Sequence, residues 1–279
     1  SDLEEQTLNH LHGYRGSSPV RIGNGAVDQL QLDIYGELLY VVHLFDTHVE
    51  HIPFALWKDI KVAVNWVCDH WREPDEGIWE VRGGRQEFLY SRLMDWVALD
   101  RGLRLSRRRS LPAPEERWTA ARDEIFHDIY ENFWNQDLQA FVQHRDSDTL
   151  DASALMLPLV EFVAPKDPRW LSTLKAIQEE LAEDTLVYRY HPEKAASDGL
   201  AGAEGTFGMC SYWFIECLAR AGEIDTARLY FEKMHSYANH LGLYAEELDP
   251  TGRHLGNFPQ AFTHLGLINT ALFLHEALE

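Results

Sequence analysis

Cysteine is scarce in this sequence, and long apolar runs are absent. The 279 residues include three cysteines, Cys68, Cys210 and Cys217. Their odd number and their spacing argue against a disulfide framework and a zinc site, and they favour a reducing compartment. No run of about 18 apolar residues and no secretory leader pattern is found, so we expect a cytoplasmic protein without a membrane span.

Positive charge is also scarce. The chain has 25 lysines and arginines against 45 aspartates and glutamates, which gives a formal net charge of −20. A chain of this charge repels phosphate backbones and anionic lipids, so we expect neither a nucleic-acid partner nor a membrane partner. Aromatic residues, by contrast, make up 12% and include nine tryptophans, which suits a large core or a pocket that stacks sugar rings.

The common cofactor and metal motifs are missing as well. There is no G-x-S-x-G, no Walker A sequence and no G-x-G-x-x-G after a strand. The 14 histidines are scattered, and none forms H-E-x-x-H or another metal-ligand spacing. We therefore expect no nucleotide cofactor and no bound metal.

Helical periodicity dominates what is present. Leu30, Ile34, Leu38 and Val41 form one apolar stripe with helical spacing, for example. Similar patterns predict roughly nine helices, with proline at several starts and Gly222 at an end. They cover 27–45, 53–71, 86–105, 114–134, 151–163, 167–184, 206–222, 223–241 and 258–278. Only two short stretches, 139–144 and 186–190, look like β-strands.

This pattern predicts an all-α fold in which antiparallel helical hairpins form a single domain over residues 1–279. No alternation of strands and helices points to a parallel sheet, and no proline- or glycine-rich linker divides the chain. The longest predicted loops are 71–86, 134–151, 184–206 and 241–258. Because long ordered loops on a rigid scaffold often carry function, we expect the site in these segments.

Two of these loops place acidic residues beside aromatic ones. They contain Asp75, Glu76 and Glu80 around Trp79, and Glu246, Glu247 and Asp249 after Tyr244. Two facing carboxyl groups can cleave a glycosidic bond if one donates a proton to the leaving oxygen and the other stays ionised. The alternative is that these acids simply end helices, where the helix dipole or solvent stabilises them. The acidic pairs alone leave both interpretations open.

The segment VYRYHP places Arg189 between Tyr188 and Tyr190. An arginine fork flanked by aromatic rings suits a hydroxyl-rich ligand, because the fork donates hydrogen bonds while the rings stack. A surface ion pair would explain the arginine equally well.

Several motifs taken together resemble glycoside hydrolase family fifteen, the glucoamylase, glucodextranase and bacterial trehalase group. They are YRGSSPVRIGN, QLQLDIYGE, PDEGIWEVRGG, FLYSRLMDWVALDR, LDASALMLPLV, GTFGMCSYWFIECLARAG, YAEELDP and LGNFPQAFTHLGLINTAL. The resemblance covers nearly the whole chain, in order, and it is far more specific than either acidic loop alone.

This resemblance implies an (α/α)6 barrel, with six inner and six outer helices, that hydrolyses α-linked glucosides with inversion. The substrate would be an oligosaccharide or a disaccharide. Glu80 would be the general acid, Glu246 the general base, and Trp79 would shield Glu80 from solvent. Other expected sugar contacts are Arg189 and Tyr190 near the reacting ring, and Asn24, Trp79 and Glu204 at the pocket wall.

One departure from the family concerns the N-terminal side. About nine of the twelve barrel helices are predicted, and nothing before Gly23 resembles the family loop that grips the reacting sugar. We therefore expect an incomplete barrel from the C-terminal part of a longer enzyme, with exposed apolar flanks that favour homo-oligomers. The alternative function is a truncated, catalytically inactive module that binds carbohydrate or self-associates. The specific α-glucoside stays open.

Overall fold

The computed structural model describes residues 3–191 and 204–279, and most of these are helical. The nine α-helices within these ranges confirm the predicted number. They are α1 (Asp33–His48), α2 (Phe54–His70), α3 (Leu89–Arg109), α4 (Glu115–Asn132), α5 (Met156–Leu159), α6 (Pro168–Glu180), α7 (Gly208–Ala221), α8 (Ile224–Ser236) and α9 (Ala261–Leu278). The fifth is a single turn that continues a 3₁₀ turn at Ala152–Leu155.

Local capping explains several of the boundaries. At the start of α6 the Asp167 side chain accepts hydrogen bonds from the backbone N–H groups of Arg169 and Trp170, and Pro168 occupies the first turn. At the end of α7, Gly222 adopts φ 105°, a left-handed conformation that glycine tolerates best. The predicted stop at Gly222 is confirmed.

Helix α1 begins at Asp33 rather than at residue 27 as predicted. The N–H of Leu30 donates to the Glu76 carboxylate at 2.8 Å, and the N–H of Leu32 donates to the Asp75 carboxylate at 2.9 Å. The two carboxylate acceptors belong to a distant loop, and these hydrogen bonds compete with the helical hydrogen bonds of the same backbone groups. The helix therefore starts after Leu32.

The helices pack in two groups, one around α3 and one around α7. Helix α3 contacts α1, α2 and α4, while α7 contacts α8 and α9. Seventeen of the 21 residues of α3 are buried, which makes it the central helix of its group. Helix α1 approaches it closely, since a Cβ atom on Gly36 would lie 2.2 Å from the carbonyl oxygen of Met94. Only glycine permits this backbone contact.

Short strands join the loops. The pairs are β1 (Gln6–Thr7) with β2 (Arg21–Ile22), β3 (Trp134–Asn135) with β4 (Ala140–Phe141), β5 (Ala182–Glu183) with β6 (Leu186–Val187), and the ladder of β7 (Thr206–Phe207), β8 (Glu247–Leu248) and β9 (His254–Leu255). All are antiparallel, and both predicted β-like stretches contain a strand. The three-stranded ladder places the loop before α7 against the loop before α9.

Two helices expose an apolar stripe, as expected for the flanks of an incomplete barrel. On α1 the exposed residues are Ile34, Leu38, Val41 and Phe45, and on α9 they are Phe262, Leu265, Ile268 and Leu272. The α1 stripe therefore faces solvent, while Leu39 on the opposite side of the helix is fully buried. None of the helices in residues 3–191 and 204–279 is both long and apolar enough to cross a bilayer.

Candidate active site

Glu80 lies in the loop between α2 and α3, and its side chain is exposed. Its backbone has φ 53°, which is unusual for a residue with a side chain and costs of order 1 kcal/mol. Gln29 donates to its carbonyl oxygen at 3.2 Å, and Gln31 donates to its carboxylate at 3.4 Å. Gly84, with φ 104°, turns the chain back towards α3, as predicted for the glycine pair.

Trp79 is partly buried, and its side chain contacts Asp151 and Phe207 from other loops. Its indole N–H donates to both carboxylate oxygens of Asp151, at 2.9 and 3.1 Å. Its ring meets the Phe207 ring edge-on, with 5.8 Å between centroids. The expectation that Trp79 shields the Glu80 carboxyl group from solvent is therefore wrong, because that group is exposed.

Arg189 and Glu204 form a buried ion pair across the loop between α6 and α7. The Arg189 Nε donates to one Glu204 oxygen at 2.8 Å, and a second guanidinium nitrogen contacts the other oxygen. The side chains are 7% and 18% exposed, so this is not the surface ion pair considered as an alternative. The guanidinium also lies over the rings of Tyr190 and Phe207, at 4.7 and 5.1 Å.

Of the remaining predicted sugar contacts, Tyr190 is buried and Asn24 is exposed. Tyr190 is 2% exposed and lies beneath Arg189. The Asn24 side chain caps its own turn by accepting from the N–H of Ala26 at 2.9 Å. The segment around Asn24 contacts the Glu80 loop, for example through Arg82 and Glu5 at 3.4 Å.

Glu246 directly precedes β8, and several donors fix its carboxylate. The Asn257 side chain donates at 2.9 Å, the Asn257 backbone N–H at 3.3 Å and the Gln260 side chain at 3.2 Å. A Cβ atom on Gly256, where φ is 69°, would lie 3.0 Å from the carboxylate. The Glu246 side chain therefore has a defined orientation at a partly exposed position.

Glu247, the next residue, points to the Arg189 side of the ladder. It accepts a hydrogen bond from the N–H of Gly205 at 2.9 Å. Burial raises the pKa of Glu247 to about 7, and the negative charges of Glu204 and Glu246 add to this effect. Because this pKa lies above that of a free glutamate, protonated Glu247 stabilises the fold at acidic pH, and this contribution is lost as the pH rises through about 7.

The two acid-bearing loops belong to one connected surface. Trp79 packs on Phe207, and Phe207 pairs with Glu247 in the ladder. The N–H of Gly208 donates to the Glu246 carbonyl oxygen at 3.0 Å. A short path of contacts therefore joins the neighbour of Glu80 to Glu246, although the two acids lie far apart in sequence.

Two further groups were missed by the sequence analysis. Tyr14 stacks on Phe258 with 3.9 Å between centroids, so the N-terminal segment also contacts the Glu246 loop. Beneath the Glu80 loop, burial raises the pKa of Asp33 to about 7, with the charges of Asp75 and Glu37 adding to the shift. Neither group carries a local sequence signal, because each depends on contacts between distant segments.

The residues that the structure describes contain no group of three or more histidine, cysteine, aspartate or glutamate side chains placed to hold a metal ion. The two acid-bearing loops offer the carboxyl groups of Glu80 and Glu246 beside aromatic rings, while the Arg189 fork is largely buried against Glu204. Such a set suits proton transfer and the binding of a polar ligand that carries hydroxyl groups.

Comparison with known sequences decides the family. The model of the family described as "Glycosyl hydrolases family 15" matches residues 1–272. The chain belongs to glycosyl hydrolase family 15. This confirms the resemblance carried by the motifs, and the match includes both acid-bearing loops.

Curated trehalases are similar along almost the whole chain. A trehalase of Mycolicibacterium smegmatis is 48% identical over 278 residues, which are 99% of this chain and 41% of the trehalase. A trehalase of Thermoplasma acidophilum is 40% identical and is matched over 99% of this chain and 47% of its own length. The chain thus spans less than half the length of these relatives.

Solved structures confirm the predicted fold class, an α/α-barrel-type array of hairpins. A glycosidase variant in complex with glucose superposes with a TM-score of 0.76 at 21% identity, over 93% of this chain and 72% of that one. A bacterial glucoamylase complexed with acarbose gives a TM-score of 0.75 at 15% identity, over 89% of this chain and 41% of that one.

Proposed function

We propose that this chain carries the catalytic acids of a family 15 glycoside hydrolase that acts on α-linked glucosides, with trehalose as the first substrate to test. Residues 1–279 would form one domain, or part of one, because the family match runs through residues 1–272 without a break. The choice of trehalose rests on the relatives named trehalase, at 48% and 40% identity.

The observation that supports the proposal best is the connected surface between the two acid-bearing loops. Trp79, Phe207 and the paired strands β7 and β8 join them. Glu80 is exposed and accessible to a ligand, while the carboxylate of Glu246 is held by Asn257 and Gln260. An accessible proton donor and an oriented acceptor are the two groups that glycoside hydrolysis needs.

In the proposed reaction Glu80 donates its proton to the glycosidic oxygen as the bond to the anomeric carbon breaks. Glu246 accepts a proton from the water whose oxygen bonds to that carbon from the opposite face. The water oxygen replaces the leaving oxygen at the anomeric carbon. The proton that Glu80 gives to the leaving sugar is matched by the proton that Glu246 takes from water. Inversion requires carboxyl groups roughly 6.5–9.5 Å apart, which leaves room for the water.

Arg189 and its neighbours are proposed to bind the sugar. The guanidinium has donors in a fixed fork, and Glu204 fixes its plane. The guanidinium lies 5.7 Å from the Trp79 ring and 4.7 Å from the Tyr190 ring, and we propose Asn24 as a further sugar contact. These assignments predict loss of sugar binding rather than loss of proton transfer when the residues are changed.

A direct test is to assay the complete natural protein with trehalose, maltose and isomaltose and to record the first product anomers by proton NMR. We expect hydrolysis of at least one of them, with new β-glucose from the attacked ring. Trehalose would then give α- and β-glucose in equal amounts. Exclusive formation of α-glucose would contradict inversion, and turnover of none of the three would contradict the proposed function.

A second candidate function, a binding or self-associating module without turnover, is favoured by the two exposed apolar stripes. Isothermal titration with glucose or acarbose, combined with the hydrolysis assay, separates the two candidates. Binding of these sugars without hydrolysis of any of the three disaccharides would support the module, and hydrolysis would support the enzyme.

The stripes also predict self-association of a protein that consists of residues 1–279. We expect the sedimentation coefficient to rise with concentration, and the double variant Leu38→Lys plus Val41→Lys to remove this dependence, because two charges on α1 would have to be buried. Leu229→Lys, a change at a separate exposed leucine on α8, is the control. A chain that stays monomeric at every concentration would contradict the prediction.

A further inference from the structure

Asp151 lies directly before the 3₁₀ turn at Ala152–Leu155 and is 2% exposed. Its side chain caps this turn by accepting from the N–H of Ser153 at 2.7 Å. A cap of this kind is common at helix starts and by itself implies only a structural role.

Two donors from other loops also bind this carboxylate. Trp79 donates from the indole nitrogen at 2.9 and 3.1 Å, and Gln143 donates from its amide at 2.8 Å. Burial raises the pKa of Asp151, whereas the hydrogen bonds from Ser153, Gln143 and Trp79 favour its ionised form. The carboxylate thus accepts hydrogen bonds from one backbone N–H group, one side-chain amide and one indole N–H group.

The backbone around Asp151 also holds the arginine loop. Asp151 forms an isolated antiparallel bridge with Tyr190, and the N–H of Ala152 donates to the Arg189 carbonyl oxygen at 2.7 Å. The same short segment therefore fixes the indole of Trp79 and the main chain at Arg189, the two sides of the proposed sugar site.

We propose that Asp151 is a positioning residue that holds Trp79, and through Trp79 the backbone of Glu80, in the arrangement needed for proton donation. This inference rests on the proposed function. In this proposal Asp151 acts through Trp79 and makes no contact of its own with the reacting atoms. It fixes the indole ring one residue before Glu80, where the backbone adopts the uncommon φ of 53°.

The kinetic test compares two substrates in the complete natural protein. Disaccharide cleavage needs a proton from Glu80, whereas α-glucosyl fluoride has a leaving group that departs with little acid assistance. We expect Asp151→Asn to lower kcat for the disaccharide by about 10²-fold, as for a misplaced catalytic group, and to lower kcat for the fluoride much less. A general loss of folded protein would lower both equally.

A double-mutant cycle shows whether Asp151 acts through Trp79. Trp79→Phe removes the indole N–H, so adding Asp151→Asn in that background should reduce the disaccharide rate little further. If the two changes multiply independently, Asp151 does not act through Trp79 and the inference is overturned.

Asp46→Asn is the matched control. Asp46 is also 2% exposed and accepts from the N–H of Ile52 at 3.0 Å and from Arg109 at 2.8 Å. It lies near the far end of α1, about 20 Å along the helix from the Glu80 loop. We expect this change to lower the melting temperature without altering the ratio of disaccharide to fluoride turnover.

An NMR measurement separates this inference from the proposed function. The indole ¹H–¹⁵N resonance of Trp79, assigned by its loss in Trp79→Phe, should shift in Asp151→Asn and stay unchanged in Asp46→Asn. An unchanged resonance in Asp151→Asn would overturn the inference even in an active enzyme. A shifted resonance in a protein that hydrolyses no substrate would show that Asp151 holds Trp79 but would reject the catalytic role.

Discussion

Replacing Glu80 by glutamine is expected to lower kcat for disaccharide hydrolysis by about 10²–10⁴-fold, the usual contribution of general acid–base catalysis. Glutamine keeps the length of the side chain and can still interact with Gln31, but it has no acidic proton to transfer to the leaving oxygen. Because the Glu80 side chain is exposed, the change should leave the melting temperature nearly unaltered.

Glu246→Gln is expected to cause a loss of similar size for a different reason. A glutamine cannot accept the proton of the attacking water, and its amide retains only one of the two acceptor oxygens that Asn257 and Gln260 contact. α-Glucosyl fluoride distinguishes the two acids. Glu80→Gln should keep much of its activity on this substrate, which needs little protonation of the leaving group, whereas Glu246→Gln should lose activity on both.

Glu73→Gln is the control for these substitutions. Glu73 is an exposed glutamate of the same loop, and its carboxylate lies 3.9 Å from His70. Its replacement should leave kcat and KM within about twofold, since a pair this exposed and this distant contributes little. Wild-type turnover in Glu80→Gln or in Glu246→Gln would contradict the role assigned to that residue.

Arg189→Met is expected to lower the free energy of unfolding by about 3–5 kcal/mol, because it removes one partner of a buried ion pair and leaves the other charge behind. The uncompensated group would be Glu204, which is 18% exposed, with the carboxyl group of Glu247 nearby. Contacts of the guanidinium with Tyr190 and Phe207 would be lost as well. Urea unfolding monitored by circular dichroism measures the change.

The double variant Arg189→Met plus Glu204→Gln should regain a large part of that loss, because it removes both charges together. Arg228→Met is the control, since Arg228 and Glu232 form a pair on α8 that is about 60% exposed at both ends. We expect its effect to stay below about 1 kcal/mol. A double variant as unstable as the sum of its single changes would argue against a coupled pair.

The helices could be predicted from the sequence because their signals are local. Proline and Asp167 mark the start of α6, Gly222 marks the end of α7, and apolar periodicity runs between them. The start of α1 could not be predicted in this way. Two carboxylates from the loop between α2 and α3 accept hydrogen bonds from the N–H groups of Leu30 and Leu32, and their effect depends on a contact about 45 residues away.

In the candidate site, too, the sequence identified individual residues, whereas only the structure shows which of them are in contact. The GIWE and AEELD motifs singled out Glu80 and Glu246, and the motif context also indicated Arg189 and Glu204. No local pattern shows that Arg189 pairs with Glu204, or that the Trp79 indole turns to Asp151 and leaves Glu80 exposed. These partners come from different loops, so only the packing of the helices brings them together.

The sequence by itself determined the family, the helical fold class and the identity of the candidate acids, because periodicity, capping residues and motifs are properties of short segments. The tertiary structure decided which side chains meet and which face solvent. It exposes the apolar stripe of α1, buries Tyr190 and Asp151, and joins the loops of Trp79 and Glu246 through one short ladder. Burial and hydrogen bonding between distant segments depend on the geometry of the whole chain, and no short segment contains that information.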